Sequence, residues 1–140
     1  MSLNKHTALM LEQGYINTML NKKVDSSLTP HGISLTEFTI MHQLNASNGG
    51  ALSRITLADS IGLTASGVTR LLAPMMKNNV VQKTENSRDA RQSMVALTVT
   101  GEALYQDALV TFEHSCDAAF TLLDEAEVSQ LMSLLNKIKC

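Results

Sequence analysis

Apolar residues recur along most of this chain at the three- and four-residue spacing of a helix face, and they give way once to strand-like runs. Residues 7–24 carry Leu9, Leu11, Tyr15, Ile16, Met19, Leu20 and Val24, which cover about half of a helical circumference. That is wider than an ordinary core stripe. The pattern predicts a helix covered on two sides, either inside a core or between subunits. Pro30 and Gly32 in SSLTPHGI end it. Ser34-x-x-Glu37 is a capping box, and it opens a helix with Leu35, Phe38, Met41 and Leu44 inward. NASNGG, residues 45–50, reads as a loop. Ser53 then caps a short helix with Ile55, Leu57, Ala58 and Ile61 inward. Gly62 leaves that helix through the left-handed conformation.

Thr64 is a good N-cap for the next helix, whose apolar set is Val68, Leu71, Leu72, Met75 and Met76. Pro74 cannot donate to the Arg70 carbonyl, which predicts a kink or a displaced last turn. Asn78 and Asn79 end the helix. Residues 80–85 and 94–99 are β-biased and flank the polar NSRDARQ, so a hairpin is predicted. Thr100 opens a long helix in which Tyr105, Leu109, Phe112, Cys116, Ala119 and Leu123 make a heptad seam. Asp124-x-x-Glu127 caps a final helix with Val128, Leu131, Leu135 and Ile138 inward. The fold class is mainly α with a small β-hairpin, and helix, tight turn, helix, hairpin is a winged helix-turn-helix. The first helix and the last two are apolar beyond what a winged helix can cover. A dimer core built from both chain ends accounts for the surplus.

Length sets the frame for this order. At 140 residues the prior is one domain. No run approaches 18 consecutive apolar residues, and the N-terminus lacks the features of a signal peptide, so a cytoplasmic protein with no membrane association is expected. Cys116 and Cys140 have no metal-ligand spacing and form no disulfide framework. The net charge of -2 does not suggest nucleic acid, but its distribution does. Residues 54–91 hold six basic residues against three acids, whereas residues 102–140 hold seven acids against Lys137 and Lys139. One face attracts phosphate and another does not.

Candidate chemistry gathers on that basic stretch. A helix that enters the major groove needs slender, polar first turns. Thr64, Ala65, Ser66, Thr69 and Arg70 meet the need: the hydroxyls can donate to phosphates or bases, and Arg70 can hold guanine with two hydrogen bonds. Arg88, Asp89 and Arg91 mark the hairpin tip. Arg91 can enter the minor groove, and Asp89 can accept from its guanidinium and fix its aim. No residues pair as nucleophile and base. His6, His31, His42 and His114 are scattered, and no Gly-rich phosphate loop is present, so neither catalytic residues, nor a metal, nor a cofactor is expected.

LADSIGLTASGVTRLL, the Asp-x-Arg of RDAR, and VALTVTG together resemble the multiple-antibiotic-resistance regulator (MarR) family. The resemblance covers the winged helix and extends to the order of the flanking helices. It implies one MarR-like domain over residues 1–140, with a winged helix at about 34–100 and dimerisation helices at about 7–25 and 101–139. It also implies a homodimeric transcription factor, usually a repressor, on a pseudo-palindromic double-stranded operator. Carried over, Ser66, Thr69 and Arg70 lie in the recognition helix, Asp89 with Arg91 is the wing pair, and Arg54 is a phosphate contact. His31 falls near the place where family effectors bind, which makes it the candidate ligand residue for a small molecule. The chain departs from the family pattern at Gly67, where Thr or Ser is common, and at Asn79, where Gly is common. It has no early cysteine like that of the oxidation-sensing members. Two other readings remain: a winged-helix module that binds protein rather than DNA, and a thiol-based redox sensor acting through Cys116.

Overall fold

A computed structural model of the chain describes residues 2–85, 88 and 93–139. Helix α1 spans Lys5–Ser27, and its first turn is capped by Asn4, whose side chain accepts from the Thr7 amide at 2.8 Å. A 3-10 turn over Thr29–His31 ends at Gly32, which is left-handed (φ 73°), and leads into α2, Leu35–Ala46. The capping box is complete at α2: Ser34 Oγ accepts from the Glu37 amide, and Glu37 Oε1 accepts from the Ser34 amide. After a second 3-10 turn come β1 (Ala51–Ser53), α3 (Arg54–Ile61) and α4 (Ala65–Lys77). The hairpin strands are β2 (Val81–Glu85) and β3 (Ser93–Leu97), followed by α5 (Val99–Ala119) and α6 (Glu125–Ile138).

The three strands form one antiparallel sheet in the order β1-β3-β2, with Leu52 opposite Val95 and Lys83 opposite Val95 from the other side. The sequence pattern misses β1. Three residues that follow a glycine pair and end on a helix cap carry too little alternation to be read as a strand. The ladder with β3 makes them one.

Helices α2, α3 and α4 close over the sheet and the first half of α5. Leu28, Ile40, Met41, Leu44, Leu57, Leu72 and Met75 are fully buried there. Phe38 of α2 stacks between two rings of α5, with its centroid 5.3 Å from Tyr105 and 4.4 Å from Phe112. The heptad seam of α5 therefore turns inward onto α2 of its own chain. It also stops short, because α5 ends at Ala119 and Leu123 lies beyond it.

Other expectations change in detail. Ile55 was expected inward but is 67% exposed, since it follows the Ser53 cap on the outer side of α3. Pro74 lies within α4, yet the helix continues through Lys77. The Arg70 carbonyl loses only its own partner, and the next amides rejoin the pattern as Asn78 donates to Pro74. Asn79 takes the left-handed conformation (φ 61°) expected of a helix-ending asparagine. Helix α5 opens at Val99, one residue before the expected Thr100, with Thr98 as its cap, and β3 ends at Leu97.

Helix α1 is not inside a core of this chain. Leu9, Met10, Leu11 and Tyr15 are exposed, and Val24 is its one buried residue. Helix α6 has no buried residue, and Leu131, Leu134, Leu135 and Ile138 all face solvent. Among the described residues, no helix is long and apolar enough to cross a membrane.

Candidate nucleic-acid interface

Helix α4 is amphipathic. Val68, Leu72 and Met75 are buried, and the opposite side presents Thr64, Ala65, Ser66, Thr69 and Arg70, all exposed. The local sequence sets this geometry. Gly62 ends α3 in the left-handed region (φ 72°), and the Leu63 amide reaches back to the Ala58 carbonyl at 3.0 Å. The chain reverses tightly, and Thr64 caps α4 by accepting from the Gly67 amide at 3.1 Å. Thr64 Oγ1 also lies 3.3 Å from Ser66 Oγ. A Cβ on Gly67 would stand 3.1 Å from Thr64 Oγ1, so the missing side chain leaves the capping oxygen room.

Arg54 is the first residue of α3 and is half-buried. Its Nη1 donates to Thr69 Oγ1 across the helix-turn-helix at 3.1 Å. Ser53, Arg54, Ile55, Ala65, Ser66, Thr69 and Ser93 line an open cleft of about 390 Å³, which connects the recognition side of α4 to the start of β3, at the loop end of the hairpin. On that hairpin Gln82, Lys83, Thr84, Glu85 and Ser93 are exposed. Arg88 is also exposed. Asp89 and Arg91, the expected wing pair, lie outside the described residues.

His31 sits at the end of its 3-10 turn, with Nε2 2.7 Å from the Thr111 hydroxyl of α5. It shares a second cleft of about 270 Å³ with Ile33, Glu37, Met75, Asn78, Val80 and Leu104. These residues come from the turn into α2 and its first turn, from the end of α4 and the link to β2, and from the start of α5. The cleft thus touches both the helix that carries the polar row and the long helix behind it. Glu37 could have been anticipated from its capping box, but nothing in the spacing brings Asn78 or Leu104 to this place.

The sequence reading also missed a polar node behind α4. Thr98 Oγ1 lies 2.6 Å from the Asn79 carbonyl and accepts from the Gly101 amide at 2.9 Å. Gly101 is buried, and a Cβ there would come within 2.0 Å of the Val80 carbonyl oxygen. VALTVTG contains both residues, but the value of its glycine shows only when α5 is laid against Val80.

Cys116 is half-buried on α5. Burial, with the Asp117 and Glu113 carboxylates nearby, pushes its thiol pKa up, which lowers the thiolate fraction that oxidation needs. Cys140 lies outside the described residues. Among the described residues, no three His, Cys, Asp or Glu side chains gather as a metal site.

Comparison with known proteins places this geometry. Residues 33–93 match the model of the MarR family. The uncharacterized HTH-type transcriptional regulator YhbI of Bacillus subtilis is 26% identical over 117 residues, covering 84% of this chain and 75% of its own. The HTH-type transcriptional regulator BilQ of Clostridium symbiosum is 25% identical over 113 residues, covering 81% and 77%. The fold is shared with AbsC, a MarR family transcriptional regulator from Streptomyces coelicolor (TM-score 0.88, 19% identity, 99% of this chain and 94% of that one). It is shared equally with a mutant of MarR from E. coli complexed with operator DNA (TM-score 0.88, 20% identity, 98% and 97%). Residues 33–93 therefore form a MarR family domain, and the fold of the chain around it is the one that MarR family transcriptional regulators share.

Proposed function

We propose that the protein is a cytoplasmic, homodimeric repressor that binds a pseudo-palindromic double-stranded operator and is released from it by a small molecule. The observation that carries this reading is the row Thr64, Ala65, Ser66, Thr69 and Arg70, exposed and slender along one side of α4 while the other side is buried. Such a helix fits the major groove, and Arg70 extends far enough to hold a guanine edge. The wing, with Arg88, Asp89 and Arg91, follows the minor groove and backbone beside it. The operator complex of the E. coli MarR mutant, which has the same fold, supports the docking mode.

The chain works as one domain: a winged helix over about 34–100, and dimerisation helices over about 7–25 and 101–139. The bare apolar sides of α1 and α6 are what a second copy covers. The dimer sets the two recognition helices about one turn of duplex apart, roughly 34 Å. The cleft at His31 is the place for an effector. A molecule lodged between Met75 and Asn78 on one side and Leu104 on the other changes how α4 sits on α5, and with it the spacing of the two reading heads.

Selection of bound duplex from a random pool tests the reading. A palindromic consensus with half-sites one helical turn apart is the expected result. Arg70→Ala should then weaken the selected operator by about tenfold or more, with the largest loss at a single guanine. Recovery of no duplex, or binding without salt dependence, would favour a winged-helix module that binds protein.

A further inference from the structure

Two helical threonines in this chain satisfy their hydroxyls on their own helix. Thr18 donates to the Gly14 carbonyl at 3.0 Å and Thr39 to the Leu35 carbonyl at 2.9 Å, each four residues back. Thr69, exposed in the middle of the polar row, does something else. The one side-chain hydrogen bond it makes among the described residues is the one it accepts from Arg54 Nη1. A hydroxyl has one proton and two lone pairs. With a lone pair engaged by a charged donor, the proton is left to point outward, and the guanidinium's charge makes it a stronger donor.

We propose that Arg54 is a positioning residue for base reading, and that it turns Thr69 into a fixed hydrogen-bond donor toward the groove. The inference rests on the operator-binding reading above and deepens it. A donor at this point favours base edges that offer an acceptor in the major groove: guanine N7 and O6, adenine N7, or thymine O4. It disfavours cytosine, whose N4 group is itself a donor there. Arg54 lies on α3, outside the helix that enters the groove, so it contributes to sequence choice without touching a base. Its remaining N–H groups stay available to a phosphate.

The test compares wild type, Arg54→Ala, Thr69→Val and the double variant on the selected operator and on every single-base substitution of one half-site. Thr69 is exposed and Arg54 half-buried, and matching thermal melts confirm that the variants fold. Wild type should disfavour cytosine at one position by about fivefold to tenfold, the range of a single hydrogen bond. Each single variant should reduce that preference to less than about twofold at the same position and leave the other positions alone, and the double variant should lose no further selectivity. A uniform loss of affinity for Arg54→Ala, with a salt slope shallower by about one and the preference intact, would make Arg54 a phosphate contact only and overturn the inference. Failure of wild type to prefer any sequence would overturn the operator reading itself, and this inference with it.

Discussion

The hydroxyl of Thr98 lies 2.6 Å from the carbonyl oxygen of Asn79, and it joins the end of α4 to the start of α5. Asn79 is left-handed, so its carbonyl points away from the helix it terminates. Thr98 meets that carbonyl, and its oxygen also caps α5 through the Gly101 amide. One buried side chain thus satisfies groups on two elements, and the amide of Thr98 adds a bond to the Val80 carbonyl at 3.0 Å. The position of the polar row on α4 is tied directly to the long helix behind it.

Replacing Thr98 with Ala should therefore cost more than a surface cap. Loss of an N-cap costs about 1 kcal/mol, and the part-buried Asn79 carbonyl left without its partner adds up to about 1 kcal/mol. Urea titration is the measurement. Thr98→Ser keeps the oxygen and should retain most of the stability, so equal losses for the two variants would mean that the methyl group rather than the hydroxyl matters.

Gly101 is the steric counterpart of that node. A Cβ at this position would stand 2.0 Å from the Val80 carbonyl oxygen, which is backbone and cannot rotate aside. Gly101→Ala gains helix propensity worth about 1 kcal/mol but forces α5 off the sheet, a shift that costs about 1–3 kcal/mol in a packed core. A net loss of stability is expected in urea. A more stable variant would show that α5 adjusts freely, and would weaken the case for a rigid link between α5 and α4.

Alkaline pH reports on the packing of Tyr105. Burial first, and the Glu113 carboxylate second, push its pKa above the ordinary 10.0. The folded state therefore holds the phenolic proton in a range where the unfolded chain releases it. This contribution to stability is whole below about pH 10 and is lost as pH rises from there through the folded value. Urea midpoints measured from pH 8 to pH 11 should fall more steeply for wild type than for Tyr105→Phe. The variant also loses the contact between the tyrosine hydroxyl and His42 Nδ1 (2.8 Å), so its midpoint at pH 8 should be lower. Parallel curves would place the alkaline sensitivity elsewhere.

Charge introduced on α6 probes the proposed dimer. Leu131 and Leu135 occupy one side of that helix, are 41% and 45% exposed, and make no part of the core of a single chain. Changing both to Glu should leave the fold intact by circular dichroism. Sedimentation should shift from twice the chain mass toward one, and operator affinity should drop with it, because a monomer engages one half-site alone. An unchanged mass would remove α6 from the interface.

Much of this architecture was legible in the order of residues, wherever local chemistry dictates local shape. Ser34 with Glu37, and Asp124 with Glu127, form the reciprocal capping bonds that their spacing predicts. Gly62 and Asn79 are left-handed where a helix must end, and Thr64 caps the helix that follows the turn. These outcomes depend on atoms within four residues of one another. Strand β1 depends instead on β3, more than 40 positions away, and the hydroxyl of the cap Thr98 is held by the Asn79 and Val80 carbonyls, 19 and 18 positions before it. The seam of α5 shows the same division: its period came from the sequence, but whether it faced a second chain or Phe38 was a question of packing. The polar row on α4 was likewise evident from its side-chain types. That Arg54 reaches Thr69 across the turn was decided only by the angle at which α3 and α4 meet, because a hydrogen bond between side chains 15 positions apart has no signature in either helix alone.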